Sequence, residues 1–176
     1  MRFKQFSTLI AVAFVILGCA QANGQPQGLC IDEKFDKEIA NTISFTVPLM
    51  GVEELHAQQE ELVVFDTRKK EEYDMSHIPG AQYLGYKDFE ADRLGDLPKD
   101  TKIVLYCSIG YRSEKIGQRL QALGYKNVFN LYGSIFEWAN RSYPLENKEG
   151  ESTRKVHTYN KAWSKWVDGQ KAEKVW

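Results

Sequence analysis

The stretch Ile103-Val104-Leu105-Tyr106-Cys107-Ser108-Ile109-Gly110-Tyr111-Arg112-Ser113 decides the fold. Its first four residues form an unbroken apolar run with two β-branched side chains and an aromatic one. Such a run predicts a strand buried on both faces, as in a parallel sheet. Cys107 stands at the carboxyl end of that strand. After a short loop, Ile116, Leu120 and Leu123 are spaced by four and three, which predicts a helix over 113–123 with one apolar face. Gly124 suits the position just past its end.

The same alternation extends outward. Leu62-Val63-Val64-Phe65, ending in Asp66, predicts a second buried strand, and Val128-Phe129-Asn130-Leu131 a third. Ser44-Phe45-Thr46-Val47, stopped by Pro48, predicts a short strand, and Gln82-Tyr83 a brief one. Gly51–Gln59, Arg68–Asp74 and Ile135–Ala139 read as helices, Lys87–Leu94 as a weak one, and His77-Ile78-Pro79-Gly80-Ala81 as a turn. Strands alternating with helices imply an α/β layer fold with a mostly parallel sheet. Ligands of such sheets bind beyond the carboxyl ends of the strands, where Cys107 falls.

The loop has the chemistry to charge a thiol. A free cysteine has a pKa near 8.5, so only about 3% is thiolate at pH 7. Consecutive backbone N–H groups make an anion nest, and a helix N-terminus adds partial positive charge. With the guanidinium of Arg112 they would favour the thiolate. A drop of about 1.5 pKa units asks for about 2 kcal/mol. Gly110 lets the loop curl without a Cβ.

Together these pieces resemble a single rhodanese-like (sulfurtransferase) domain over Phe45–Leu145. The resemblance rests on Val64-Phe65-Asp66-Thr67-Arg68, Glu72-Tyr73 and His77-Ile78-Pro79-Gly80-Ala81, then Ile103 through the Cys107 loop. Leu131-Tyr132-Gly133, Trp138 and Tyr143-Pro144 complete it. It implies a three-layer α/β/α fold around a central, mostly parallel five-stranded sheet. It also implies a Cys107 nucleophile that takes sulfane sulfur from thiosulfate or a persulfide donor, holds it as a persulfide and passes it to a thiol acceptor, a protein thiol included. The amides of Ser108, Ile109, Gly110, Tyr111 and Arg112 would form the cradle, with Ser113 opening the helix. Asp66 and Arg68 would support the loops. No cofactor is implied. A loop of six residues from cysteine through arginine is similar to the sulfur-transferring members, whereas phosphatase relatives carry one more. The loop has one cation where thiosulfate-selective members often have two, and Gly133-Ser134 stands where Gly-Gly is usual. Three alternatives remain: a non-catalytic rhodanese-like binding module at the cell envelope, a thiol-based phosphatase or arsenate-type enzyme, and redox exchange between Cys30 and Cys107.

Composition bounds the rest. The 176 residues suit one domain with short extras, and 23 Lys+Arg against 24 Asp+Glu give no pull toward nucleic acid. Three cysteines are too few for a disulfide scaffold. His56, His77 and His157 lack metal-ligand spacing, and there is no phosphate-binding glycine motif. The resemblance implies that His77 braces a loop rather than acting as the base of a Cys-His-Asp hydrolase.

Met1-Arg2-Phe3-Lys4 followed by the apolar run Leu9–Gly18 predicts a signal peptide over residues 1–18. Ile16-Leu17-Gly18-Cys19 resembles a bacterial lipobox, which implies lipidation at Cys19 and a lipid anchor in the membrane. The expected location is the cell envelope, facing the periplasm; Ala20-Gln21-Ala22 leaves soluble periplasmic export as the alternative. Residues 19–43 read as a tether carrying an incidental Cys30, 44–145 as the domain, and 146–176 as a linker and a C-terminal helix. In that helix Tyr159, Trp163 and Trp166 would share one face.

Overall fold

The computed structural model describes residues 28–176. The elements follow in chain order: α1 (Glu33–Thr42), β1 (Leu49–Met50), α2 (Val52–Gln58), β2 (Val63–Asp66), α3 (Lys70–Met75), β3 (Gln82–Tyr83) and β4 (Lys102–Tyr106). They continue with α4 (Tyr111–Ala122), β5 (Asn127–Leu131), α5 (Ser134–Asn140), β6 (Lys155–His157) and β7 (Glu173–Val175). Three-residue or four-residue 3-10 turns occupy Gln59–Glu61, Ala91–Leu94 and Trp163–Trp166.

Five strands form one sheet in the order β1-β5-β4-β2-β3, and every pairing is parallel. The central strand β4 shows why its run is apolar on both faces. Val104 and Tyr106 point into the core built with α1, α2 and α5, while Ile103 and Leu105 point into the core built with Ile116 and Leu120 of α4. Three layers result, as the alternation of elements predicts. Among the described residues no helix is long and apolar enough to cross a membrane.

Five expectations need correction. Residues 33–42 are not a tether but a helix: Asp32 accepts hydrogen bonds from the N–H groups of Lys34 and Phe35, and Phe35 and Ile39 enter the core one turn apart. Cys30 is buried in that core and not incidental to a free linker. Ser44–Val47 is not a strand. The N–H groups of Ser44 and Thr46 donate to the Glu114 carboxylate at 2.8 and 2.9 Å, and Phe45 takes a φ of 56°, so the ladder begins only after Pro48. Finally, residues 146–176 hold no α-helix. They form β6 and β7, a parallel pair joined through the 3-10 turn. Tyr159 sits at φ 65°, and Asn160 accepts from the N–H of Trp163 through both its side chain and its carbonyl, which turns the chain where a helix would continue. Lys87–Leu94 shortens to the 3-10 turn at Ala91–Leu94. The signal-peptide and Cys19 expectations lie outside the described residues.

Candidate active site

The sheet order brings the carboxyl ends of β4 and β2 side by side, and Cys107 follows β4 directly. Cys107 is buried, 1% exposed, and its sulfur accepts the N–H of Gly110 at 3.2 Å. Gly110 reaches that position with a φ of 122°, which L side chains rarely adopt. A Cβ there would also meet Asn130 Nδ2 and Ile43 Cγ2, both at 3.5 Å. Burial pushes the Cys107 thiol up. The Arg112 charge and the backbone N–H groups of Ser113, Gly110 and Ile109 outweigh that, and its pKa lies below the ordinary value.

Three braces hold the loop. Arg112 grips the buried carboxylate of Glu72 with two nitrogens, at 2.7 and 3.0 Å, and donates to Ser108 Oγ at 2.9 Å. Burial raises the Glu72 carboxyl. The Arg112 fork, the Arg68 charge and the N–H of Lys69 more than reverse this, and they hold it down to about 2. Asn130 of β5 donates to the Gly110 carbonyl at 3.0 Å and accepts the Ser113 hydroxyl at 2.6 Å. Ser134 accepts the N–H of Cys107 at 3.3 Å and donates to the Leu131 carbonyl at 2.9 Å. Ser134 sits at φ 50°, the left-handed region that glycine adopts freely. The departure from Gly-Gly therefore carries a hydroxyl that partners the amide of Cys107.

Asp66 and Arg68 are both fully buried and paired, with Arg68 Nε 3.0 Å from each carboxylate oxygen and Nη2 2.6 Å from one of them. Arg68 Nη2 also donates to the Ser76 carbonyl at 2.5 Å, so the pair ties β2 to the turn after α3. His77 Nδ1 donates to the Tyr73 carbonyl at 3.0 Å, and its Nε2 faces the Glu146 carboxylate at 3.2 Å. It makes no hydrogen bond to Cys107, in keeping with a bracing role.

Cys107 and the loop residues Ser108, Ile109, Tyr111 and Arg112 line a cleft of about 730 Å³. Gly110 and Ser113 stand behind that wall. Lys69, Lys70 and Lys87 add positive charge to the cleft, and Glu71 and Asp88 part of the opposite sign. Lys69 pairs with Glu71, Lys70 with Asp74, and Asp88 with Arg93; Lys87 makes no ion pair among the described residues. No cluster of metal-ligating side chains occurs among the described residues.

Sequence reasoning named the loop, Asp66 and Arg68 as candidates. It missed Asn130 and Ser134 as braces and gave Glu72 no role in the site. Glu72 stands in the Glu72-Tyr73 piece of the resemblance, but its burial against the loop arginine is a fact of the fold that local spacing does not encode. Asn130 left a signal: it interrupts the apolar run of β5 at a position the sheet buries completely.

The comparisons bear on the family and the fold. A protein described as "Sulfurtransferase" from Allochromatium vinosum is 34% identical over 94 residues, which are 53% of this chain and 87% of that one. "Adenylyltransferase and sulfurtransferase uba4" from Ogataea parapolymorpha is 30% identical over 95 residues, 54% of this chain but only 24% of that protein. Among solved structures, the BH2092 protein of Bacillus halodurans superposes with a TM-score of 0.54 at 22% identity, covering 65% of this chain and 87% of that one. This last likeness concerns the fold. The family model described as "Rhodanese-like domain" matches residues 51–141, and the chain belongs to that family.

Proposed function

We propose that the protein is a sulfurtransferase that works through a Cys107 persulfide. The Cys107 thiolate attacks the sulfane sulfur of a donor. A sulfur–sulfur bond forms to Sγ as the bond to the donor's leaving group breaks, and the electron pair departs with that group (sulfite, when the donor is thiosulfate). An acceptor thiolate then takes the outer sulfur and returns Cys107 as thiolate, so no external oxidant or reductant is required.

One observation carries the reading: a buried sulfur on a cleft floor, with Arg112 lining the same cleft and the Gly110 N–H donating to it at 3.2 Å, an arrangement that favours the thiolate. The loop amides suit the negative charge of the persulfide. Sulfurtransferase names among the relatives support the class. The six-residue loop supports sulfur over phosphate. Arg112 is committed to Glu72 and Ser108, which fits a role in holding the loop more than in grasping a donor. Donors are thiosulfate or organic persulfides; acceptors are small or protein thiols.

The test is the intact mass of the full chain after incubation with thiosulfate, and separately with a low-molecular-weight persulfide. The expected result is a gain of one sulfur atom, discharged by added thiol and lost in Cys107→Ser. A chain that gains no sulfur from either donor, or a Cys107→Ser variant that still transfers it, ends the assignment.

We also propose export and lipid anchoring at a bacterial envelope through Cys19, with the membrane as partner, on the strength of the lipobox-like Ile16-Leu17-Gly18-Cys19. Incorporation of labelled fatty acid that disappears in Cys19→Ser tests it; a chain that fractionates as soluble and unlabelled refutes it.

A further inference from the structure

The cleft is larger than its simplest occupant. At about 730 Å³ it falls within the range of about 300–1,000 Å³ that holds drug-sized ligands, and an ion as small as thiosulfate would occupy a minor part of it. Aromatic rings line it, and two of them, Tyr159 and Trp163, come from the C-terminal segment beyond the family-matched residues 51–141.

Tyr159 is held there against its backbone preference. It is a non-glycine residue at φ 65°, half exposed, with its ring 5.5 Å from the Arg112 guanidinium carbon. The left-handed conformation is costly for a residue with a side chain and persists only where surrounding structure over-determines it. Here the surroundings are on both sides. The Tyr159 N–H donates to His157 at 3.1 Å, and Thr158 is tied to the Val175 carbonyl at 2.7 Å through its N–H and 3.0 Å through its hydroxyl. Trp163 is fixed by Asn160 and packs on the core. An exposed aromatic ring pinned in a strained position beside a nucleophile's cleft is the form of a recognition surface.

We propose that Tyr159 and Trp163 form a selectivity wall that favours sulfur donors whose sulfane sulfur is carried on an aromatic or apolar organic body over compact inorganic ones. The inference rests on the sulfurtransferase reading. The sulfane end enters the amide cradle at Cys107, and the organic body lies against the rings. With an aryl thiosulfonate, the Cys107 thiolate forms the new sulfur–sulfur bond as the bond between the sulfane and sulfonyl sulfurs breaks. The electron pair leaves with the aryl sulfinate, so electrons balance without a co-reactant.

The test compares benzenethiosulfonate with methanethiosulfonate, which share the reacting group and differ in the body. In the full chain, kcat/KM should favour the benzene compound, with the difference carried by KM. Tyr159→Ala should lower that preference by roughly tenfold, and Tyr159→Phe, which keeps the ring, should retain it. An unchanged preference in Tyr159→Ala, or none in the native chain, overturns the wall. Binding of benzenesulfinate and methanesulfinate to Cys107→Ser, followed by calorimetry, reads the wall without any transfer. Tighter binding of the benzene compound that depends on the Tyr159 ring supports it, and equal binding refutes it. No sulfur gain from either donor, together with ring-dependent sulfinate binding, would instead refute the sulfurtransferase reading alone.

Discussion

At the scale of single residues, the site turns on how one thiol is charged while buried. Desolvation alone would keep Cys107 neutral, as it does Cys30. That second thiol is buried beside Glu137 and Asp36, and its pKa is driven well up by burial first and by the two carboxylates second. The two described cysteines thus differ in their neighbours more than in their exposure. For Cys107 the decisive charge is Arg112, itself fixed by Glu72. Because the Cys107 pKa is depressed, its reactive thiolate is present above that pKa and is lost as pH falls through it. Arg112→Gln removes the positive charge, so the loss should set in at higher pH. Iodoacetamide labelling of Cys107, followed by peptide mass across a pH series, should show the profile displaced upward in the variant, with partial return in Arg112→Lys. Coincident profiles would mean the amides alone charge the sulfur. Arg112→Gln also strands a buried carboxylate, a change that costs about 3–5 kcal/mol. Folding should therefore be confirmed by circular dichroism at each pH.

At the scale of elements, what the sequence discloses is what local pattern encodes. β2, β4 and β5 are legible because each is an apolar run of strand length, and α4 because its apolar residues recur every three or four. The Cys107 loop is legible because the order strand, cysteine, arginine, helix is unusual. The segment Ser44–Val47 misleads for a definite reason. Its backbone N–H groups are taken by Glu114, a side chain some 70 residues on, so its strand-like composition is overruled by a partner no window contains. The C-terminal tail misleads similarly. The spacing of Tyr159, Trp163 and Trp166 is helical, but Asn160 and the strained Tyr159 turn the backbone out of a helix. α1 was hidden by its charge, since only Phe35 and Ile39 carry its apolar face.

The Ser44–Val47 bracket makes a prediction of its own. A Cβ on Gly117, in the middle of α4, would lie 2.9 and 3.1 Å from the two methyl carbons of Val47. Glycine-to-alanine in a helix gains about 1 kcal/mol from propensity. Overpacking costs about 1–3 kcal/mol. Val47 is buried and its strand of chain is clamped by Glu114, so it has little room to yield. Gly117→Ala should therefore lower the urea midpoint. A more stable variant would show that the bracket relaxes and that the close approach is not what the glycine serves.

For the molecule as a whole, the family-matched core is wrapped by its own two ends. Phe35 of α1 stacks on Phe136 of α5 at 6.3 Å between ring centres and on Trp166 of the tail at 5.5 Å. Asn140, at the end of α5, donates to the Trp166 carbonyl and accepts the Asp168 N–H, both at 2.9 Å. His77, in the turn after α3, exchanges two backbone hydrogen bonds with Glu146, where the tail begins. Helix and tail are thereby joined through one aromatic contact on the same face of the sheet, and the tail so anchored holds Tyr159 and Trp163 over the cleft. This arrangement predicts energetic coupling rather than two independent additions. Phe35→Ala should cost about 3–5 kcal/mol, because the ring is wholly buried. Trp166→Ala, only partly buried, should cost less. If the stack is a true joint, the double variant should be more stable than the sum of the two losses implies, by about 0.5–1.5 kcal/mol. Urea unfolding of the four proteins of the cycle measures that difference. Strict additivity would mean that the two ends pack on the core separately, and that the position of Tyr159 owes nothing to α1.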